Sequence, residues 1–429
     1  MRDDAKSLWK DTATDAFFGQ SVVDDAACSV AVIGGGFTGL RAALSLAEAG
    51  VDVCVFEAQE IGFGASGRNG GQVNPMLPVK LPADLRAAVG DTYFDRLAEV
   101  SLGSADELFA LIKRYNIDCD ARQNGWLRAD HCEQARREAR SAATEWNRFG
   151  AGFEFVDGDD VKSLTGSPSY SSAVLSPRGG AVQPLSLVRG LARAAHSAGA
   201  KIYTNARVSG MKRKNGRWQI AVNERSVQSD IVIAATNGYT DGLVPGLARS
   251  VLPLTPVQIA TGPLNSNQIG PLLPQGHTIS DTRRLIMYSR REPGDQFVFG
   301  GIGYRLATGG IGGFKWLLRD AERTFPSLKG VNWQYRWGGQ IALTSDHVPH
   351  LHEPEPGLLA GLGYNGRGVA MSMIMGRVLA ERALGAASES LPFPVSPIRS
   401  QAFRNTQVFG AIVAMHGMRL LDLHESKRG

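Results

Sequence analysis

VAVIGGGFTGLRAALSLAEAGVDVCVFEAQEIGFGASGRNGGQ, residues 30–72, is the stretch that decides the fold. An apolar run at 30–33 ends in Gly34, Gly35 and Gly36, and a helix-like pattern starts at about Thr38. A second apolar run, 51–56, ends in Glu57. This order predicts a strand, a tight turn, a helix and a second strand with an acidic end, the fingerprint of a dinucleotide-binding fold. Gly34 permits the sharp turn. Gly36 lets the backbone approach a pyrophosphate, and Gly39 lets the helix pack closely on the strand. The helix N-terminus offers unpaired N–H groups and a positive dipole end to phosphates. Glu57 stands where a carboxylate would accept hydrogen bonds from a ribose.

The glycine-rich stretch 62–71 follows directly. Ser66, Arg68 and Asn69 place a hydroxyl, a cation and an amide beside backbone stripped of side chains, which suits a diphosphate and the edge of a planar ring. Working outward, residues 1–27 form a lead-in arm whose Trp9, Phe17 and Phe18 are expected near the active-site side. Residues 82–116 read as helices, with Leu108, Leu111 and Ile112 at helical spacing. Residues 124–129 are strand-like, 131–150 a polar helix, and GFEFVD a short strand before a helix start at Asp159 and Asp160. PLSLVRGLARAAHSAGA is an amphipathic helix and KIYTNARV a strand. Alternating patterns at 208–212 and 217–222 flank a Lys-Asn-Gly turn and predict a hairpin. SDIVIAATNGYT carries a buried strand, residues 250–345 are richer in β-type patterns, and 357–383 return to strand, glycine turn and helix.

Nucleotide-type segments are thus dispersed along the chain. The fold class expected is α/β: a Rossmann-like dinucleotide domain intertwined with an α+β substrate domain built on an antiparallel sheet. The boundaries expected are 28–80, 156–244 and 341–396 for the first domain, 81–155 and 245–340 for the second, and 397–429 for a C-terminal helix.

Composition fits a globular chain of 429 residues, 43% hydrophobic and 20% charged. The 51 glycines cluster at 34–39, 62–71, 300–313 and 357–368, which points to backbone close to a ligand. A net charge of +5 is mild for this length, and no basic stripe with interleaved aromatics occurs, so nucleic acid is not an expected partner. Cys28, Cys54, Cys119 and Cys132 are scattered without a C-x-x-C and read as thiols in a reducing compartment. The charged N-terminus lacks an apolar signal region and no run is long enough to span a bilayer, so a cytoplasmic setting is expected. In the segment 402–423, Val408, Ile412, Val413, His416 and Leu420 could line one helical face. A terminal helix packed on its own protein is the expected reading, with membrane-surface association the alternative. His347, His350 and His352 form H-x-x-H-x-H, but Pro349 breaks any regular element and no metal is expected.

Four motifs carry a family resemblance: VIGGGFTGL…FEA at 32–58, GFGASGRNGGQV at 62–73, DIVIAATNGY at 230–239, and the pair WGGQIALTSDHVPHL and GLGYNGRGVAMS at 337–351 and 361–372. Over about residues 20–420 the chain resembles the glycine/D-amino-acid oxidase (DAO) family of FAD enzymes, and within it the gamma-glutamylputrescine oxidase-like branch. The resemblance implies FAD contacts from Gly34, Gly36, Phe37, Thr38, Gly39, Glu57 and Ala58 in the fingerprint. It implies others from Ser66, Arg68, Asn69, Gly70, Gly71 and Gln72 in the loop, and from Val208 by its backbone at the adenine. Ala235, Thr236, Asn237, Gly339, Gly363, Asn365, Gly366, Arg367, Gly368 and Val369 complete the implied set. Backbone N–H groups of GYNGRGVAMS would face the flavin N1–C2=O region, where charge collects on reduction. Some relatives attach flavin through Cys or His. The corresponding segments here, WGGQIALTSDH and GASGRNGG, contain no Cys and no His respectively, so non-covalent FAD is expected.

The implied reaction is oxidation of a C–H beside an amine by hydride transfer to flavin N5. The products expected are an imine or aldehyde and, with dioxygen as acceptor, hydrogen peroxide. A neutral amine can lose hydride directly, which accounts for the lack of a conspicuous acid–base pair. Tyr288, Tyr304, Arg305, Trp337 and Gln340 lie in segments the family brings over the flavin. Tyr and Trp rings could enclose an amine, and Arg305 could hold a carboxylate. Tyr304, Arg305, Trp337 and Gln340 are the candidates for a catalytic role. Two alternatives are an FAD amine dehydrogenase feeding a membrane or protein acceptor and a non-catalytic flavin-binding redox module.

Overall fold

The first strand, Ala26–Ile33, runs parallel to Val53–Phe56 on one side and to Arg225–Ala234 on the other. Val53–Phe56 and the 231–234 end of Arg225–Ala234 are apolar, because a parallel strand covered on both faces disfavours polar side chains. This is the centre of an eight-stranded sheet in a computed structural model that describes residues 6–14, 16–306, 309–401 and 404–426. Leu358–Leu362 and Lys201–Tyr203 extend the parallel set outward. The hairpin Val208–Lys214 and Arg217–Val222 joins Arg225–Ala234 antiparallel, with its turn at Asn215 and Gly216 as the alternation predicts.

Helices Phe37–Glu48, Pro184–Ser197 and Gly368–Ala383 cover one face. Their buried Leu40, Leu44, Leu187, Leu191, Met371 and Met375 share a single core. Helices Pro82–Val89, Asp91–Leu102 and Ser104–Arg114 place Leu85, Phe94, Leu97 and Leu108 in that same core. The boundary expected at residue 81 therefore does not follow the packing: this helical block lies on the nucleotide half. Conversely, Glu154–Asp157 and Ser172–Ser176 pair within the second sheet, so the return expected at 156 comes later in the chain. The reason is that neither segment carries a marker of its destination. Helical spacing shows that a face is apolar, not which core receives it.

The second sheet has ten strands, in the order Trp333–Gly338, Leu252–Thr261, Phe297–Arg305, Tyr288–Arg291, Thr278–Asp281, Trp126–Asp130, Ser172–Ser176 and Glu154–Asp157, with two short strands at the edges. All pairs are antiparallel except Thr278–Asp281 with Trp126–Asp130. One face is apolar. Leu127, Ile279, Phe299, Val257 and Ile259 pack under Leu317, Ala321 and Phe325 of the helix region 314–325. The alternate residues form the opposite face, which mixes polar side chains with Ala260, Val298 and Tyr335 and is turned toward the nucleotide half.

The helix Arg404–Glu425 docks through charges. Arg419 reaches the buried Asp320 at 2.5 and 2.6 Å, and Arg284 reaches Asp422 at 2.9 Å and Glu425 at 2.7 Å. The side chains of Val408, Ile412, Val413 and His416 lie outside the described residues, and Leu420 is exposed. Among the described residues no helix is long and apolar enough to cross a membrane. The three histidines of H-x-x-H-x-H have separate hydrogen-bond surroundings, although the His350 and His352 rings meet edge to face at 5.6 Å. His347 is exposed, His350 bonds Asp346 at 2.9 Å, and His352 bonds the Ser396 carbonyl at 2.7 Å.

Candidate active site

A cavity of about 410 Å³ opens at the C-terminal end of the parallel sheet, where such folds bind nucleotides. Its floor is the glycine turn. Gly34 has φ +109°, and a side chain there would strike the Ala235 carbonyl at 2.8 Å. Gly36 has an ordinary φ of −87°, so the objection to a side chain is space alone: a Cβ would stand 2.9 Å from Ser66 Oγ. A Cβ on Gly39 would lie 2.0 Å from the Gly34 carbonyl, so this glycine sets the closeness of helix to turn and does not line the cavity.

At one end Glu57 accepts hydrogen bonds from Gly35 N at 2.8 Å and Gln59 N at 2.9 Å. Burial pushes its carboxyl above the usual range, and these backbone donors oppose the shift. Val208, Asp241 and Leu243 line the same wall with Ala58, Ala235 and Thr236. The middle is walled by Phe37, Thr38, Ser66 and Asn69; Ser66 Oγ accepts from Phe37 N at 2.9 Å, capping the helix start. The far end is walled by Asn365, Gly366, Gly368 and Val369, at the N-terminus of Gly368–Ala383. Asn237 Oδ1 accepts from Gly363 N at 3.0 Å, and Thr38 Oγ1 meets the Tyr364 hydroxyl at 2.6 Å. These bonds tie the late glycine turn to the early one, so Gly363 serves the wall from behind. A trough with a carboxylate at one end, two helix N-termini along it and no room for a Cβ on Gly34, Gly35 or Gly36 fits an extended dinucleotide.

The loop after Ser66 is pinned carbonyl by carbonyl. Trp337 Nε1 donates to the Arg68 carbonyl at 3.1 Å, and Trp9 Nε1 to the Asn69 carbonyl at 2.8 Å. Arg290 donates to Gly71 at 2.7 Å and Gly70 at 3.3 Å. The two indoles meet edge to face at 5.5 Å, and Arg290 lies over Trp9 at 5.1 Å. Asn69 staples the loop from inside, donating to Ala65 and Ser66 carbonyls and accepting from Gly71 N. Arg68 turns its side chain away from the cavity, with Nε on the Phe63 carbonyl at 2.6 Å. Gln72 also leaves the cavity: its amide spans Ile279, Ser280 and Ser289 of the second sheet. The composition of the loop did not reveal these jobs, because a polar residue beside glycines suits a ligand and a backbone carbonyl equally well.

The polar face of the second sheet stands over this loop. Arg128, Ser280, Tyr288, Gly300, Gln258 and Trp337 are successive register partners across six strands. The Tyr288 ring lies over Gly300, where a Cβ would sit 2.1 Å from it, and against Gly70. Gln258 is wholly buried, with the Tyr288 hydroxyl as the polar group beside its amide. Trp337 is 1% exposed, so its ring supports the loop and does not face open space. Tyr304 packs on Trp316 at 5.3 Å. Arg305 is exposed and donates to Gln340 Oε1 at 3.2 Å, while Gln340 Nε2 holds the Gly238 carbonyl at 2.6 Å. None of Tyr304, Arg305, Trp337 and Gln340 lines the cavity, and Gly339 also lies behind it. The sequence reading placed Trp9 near this side without its bond, and it missed Arg290, Gln258 and Tyr364. Arg290 carried no signal, since an arginine on a strand normally reads as a solvated edge.

Comparison with known proteins agrees with this geometry. The family described as FAD dependent oxidoreductase, DAO, matches residues 29–382. Gamma-glutamylputrescine oxidoreductase of Escherichia coli (strain K12) is 32% identical, over 84% of this chain and 84% of that protein. The probable oxidoreductase OrdL of Rhizobium meliloti (strain 1021) is 30% identical, over 89% of this chain and 90% of its own length. Among solved structures, glycine oxidase from Geobacillus kaustophilus superposes with a TM-score of 0.71 at 20% identity, covering 88% of this chain and 99% of that one. L-proline dehydrogenase from P. horikoshii gives 0.69 at 19% identity, covering 87% and 100%.

Glu57→Gln is expected to weaken dinucleotide binding about 10- to 150-fold, through loss of a charge-assisted hydrogen bond to ribose. The bound form needs the carboxylate as acceptor, so protonation opposes binding. Since the Glu57 pKa is raised, affinity of the unmodified protein should start to fall at a pH above the ordinary carboxylate range. The variant should lose that pH dependence; equal dissociation constants for the two proteins would remove Glu57 from the site. Trp9→Phe keeps the ring and leaves the Asn69 carbonyl without its donor, at a cost of about 1–3 kcal/mol. A lower thermal midpoint and weaker cofactor retention are expected, and no change in either would detach the N-terminal arm from the site.

Proposed function

The chain belongs to the DAO family of FAD dependent oxidoreductases, and from that premise we propose that it oxidises the C–N bond of a carboxylate-bearing amine, gamma-glutamylputrescine-like or amino-acid-like. Bound FAD supplies the hydride acceptor, and with dioxygen as final acceptor the products are an imine, hydrolysed to a carbonyl compound, and hydrogen peroxide. The protein positions, desolvates and polarises. Glu57 takes the ribose, the N-terminus of Phe37–Glu48 the diphosphate, and the pinned loop 66–71 the ring. The N–H groups that open Gly368–Ala383 would stabilise negative charge developing on the bound ring. Tyr288 and Gln258 form part of a roof that keeps water out of the space above the loop.

The observation that carries this reading is where the acids lie. Among the described wall residues the only carboxylates are Glu57 and Asp241, both beside Val208 at the nucleoside end, and no histidine is present. The far-end wall, formed by Tyr364, Asn365, Gly366, Gly368 and Val369, carries hydrogen-bond donors and a ring but neither a carboxylate nor a histidine. Loss of hydride from a neutral amine needs no general base, whereas oxidation of a hydroxy acid would need a group to take the hydroxyl proton.

FAD is held without a covalent bond in this reading. Acid or heat denaturation is then expected to release intact FAD into the supernatant, and flavin that precipitates with the protein would refute it. In rapid mixing without oxygen, an amine panel is expected to bleach the flavin at rates that rise with pH, because an ammonium has no lone pair to stabilise the developing cation. Bleaching by hydroxy acids and by no amine would overturn the reaction class. Reduced flavin that survives in air would select the dehydrogenase alternative, and a flavin that no amine bleaches would select the non-catalytic module.

A further inference from the structure

Behind the far end of the cavity lies a group of donors with no acceptor. Arg367 stands between Gly366 and Gly368 on the cavity wall, yet its side chain leaves the wall and lies on the Trp126 ring at 4.5 Å. Trp126 and Arg128 are two apart on one strand, so both project from its polar face, while Leu127 between them enters the opposite apolar core. Trp126 is 3% exposed and its indole N–H has no acceptor. Both arginines are half-buried, and neither has a hydrogen bond or ion pair through its guanidinium among the described residues. Two acids act on Arg128 through space, and each is engaged elsewhere: Asp130 accepts from Ser172 at 2.7 Å, and Glu138 pairs with Lys80 at 2.8 Å.

Two unpaired guanidinium groups side by side repel each other. Burial and the charge of Arg128 make Arg367 hold its proton less firmly than usual, although a guanidinium remains charged. Such an arrangement is costly unless something anionic completes it. The Trp126 face orients the Arg367 plane, leaving its N–H edge free for bidentate contact with a carboxylate. Arg305, the carboxylate partner expected from the sequence, is exposed and engaged by Gln340, which makes it the poorer candidate.

We propose that Arg367 and Arg128, set on Trp126, form the subsite that binds the carboxylate of the amine substrate. This rests on the amine reading above and narrows it. The substrate amine is held at the cavity's far end under the sheet, and its carboxylate reaches past Gly366 to the two guanidinium groups. Amines that lack an anionic group lose that contact and bind weakly.

The first arm of the test uses the unmodified FAD-loaded protein and needs no variant to fold. Acetate, butyrate and glutarate are titrated while the flavin absorbance spectrum is followed, with calorimetry alongside. Saturable spectral perturbation by at least one of them is expected, and its absence from all three overturns the proposal. The second arm compares carboxylate-bearing amines with their methyl esters for Arg367→Gln, Arg128→Gln and the milder Arg367→Lys. KM for the acids is expected to rise about 10- to 150-fold in the Gln variants with kcat little changed, and KM for the esters to stay within about twofold. Arg367→Lys should fall between. Equal losses for acid and ester would assign these arginines to the flavin or the fold and sink the proposal. The two readings fail separately. Carboxylate binding that vanishes in the variants, with no amine bleaching the flavin, keeps the anion subsite and rejects the amine reaction. Bleaching indifferent to the carboxylate does the reverse.

Discussion

Four consecutive backbone carbonyls, those of Arg68, Asn69, Gly70 and Gly71, are each met by a buried donor from outside their own loop. The donors come from three distant places: Trp9 in the N-terminal arm, Trp337 on the edge strand of the second sheet, and Arg290 within that sheet. A glycine-rich loop has no side chains with which to hold itself and loses much entropy on ordering. Its shape must therefore be imposed from outside. Buried carbonyls left unmet would each cost on the order of 1–3 kcal/mol, so these bonds come close to obligatory. They also make the glycine-rich loop the place where the two halves of the molecule are joined.

The joint explains the character of the second sheet. One face is an ordinary apolar layer under helix 314–324, which supplies the burial. The other face is then free to be polar, because it packs on a loop whose exposed chemistry is backbone. Gln72 extends the seam with three contacts to this sheet. Gly300 gives up a side chain so that the Tyr288 ring can lie flat over the strand. The polar face changes character along its length. At Trp337 and Arg290 its donors are consumed by the loop, whereas at Trp126 and Arg128 they are not. Within one row of register partners the same face shifts from structural to unsatisfied, and a ligand is best sought at the unsatisfied end.

Identity near 30% with curated oxidoreductases over most of the chain, set beside 20% with glycine oxidase at a TM-score of 0.71, fits this division of labour. The two glycine turns, their cross-bonds through Asn237 and Thr38, and the pinned loop are demands of holding a dinucleotide. The arginines behind Gly366 meet no such demand, since their side chains point away from the trough. Residues of that kind are free to differ between enzymes that share a cofactor, which is where selectivity among amines has room to arise.

Sequence by itself determined the nucleotide half. The turn at Gly34, the helix from Phe37, the acid at Glu57 that ends the second strand and the second glycine turn before Gly368 follow from local rules, each acting within a few residues. The hairpin around Asn215 and a C-terminal helix were legible for the same reason. Tertiary structure decided what the long-range partners are. Helices 82–114 could have packed on either half, and Arg68 and Gln72 could have faced a ligand or a carbonyl. Trp337 could have closed on substrate or on backbone, and Arg367 could have lined the cavity or left it. In each case the residue type admits two partners of similar chemistry. The choice is made by which surface the folded chain holds within hydrogen-bonding distance, a property that no local spacing encodes.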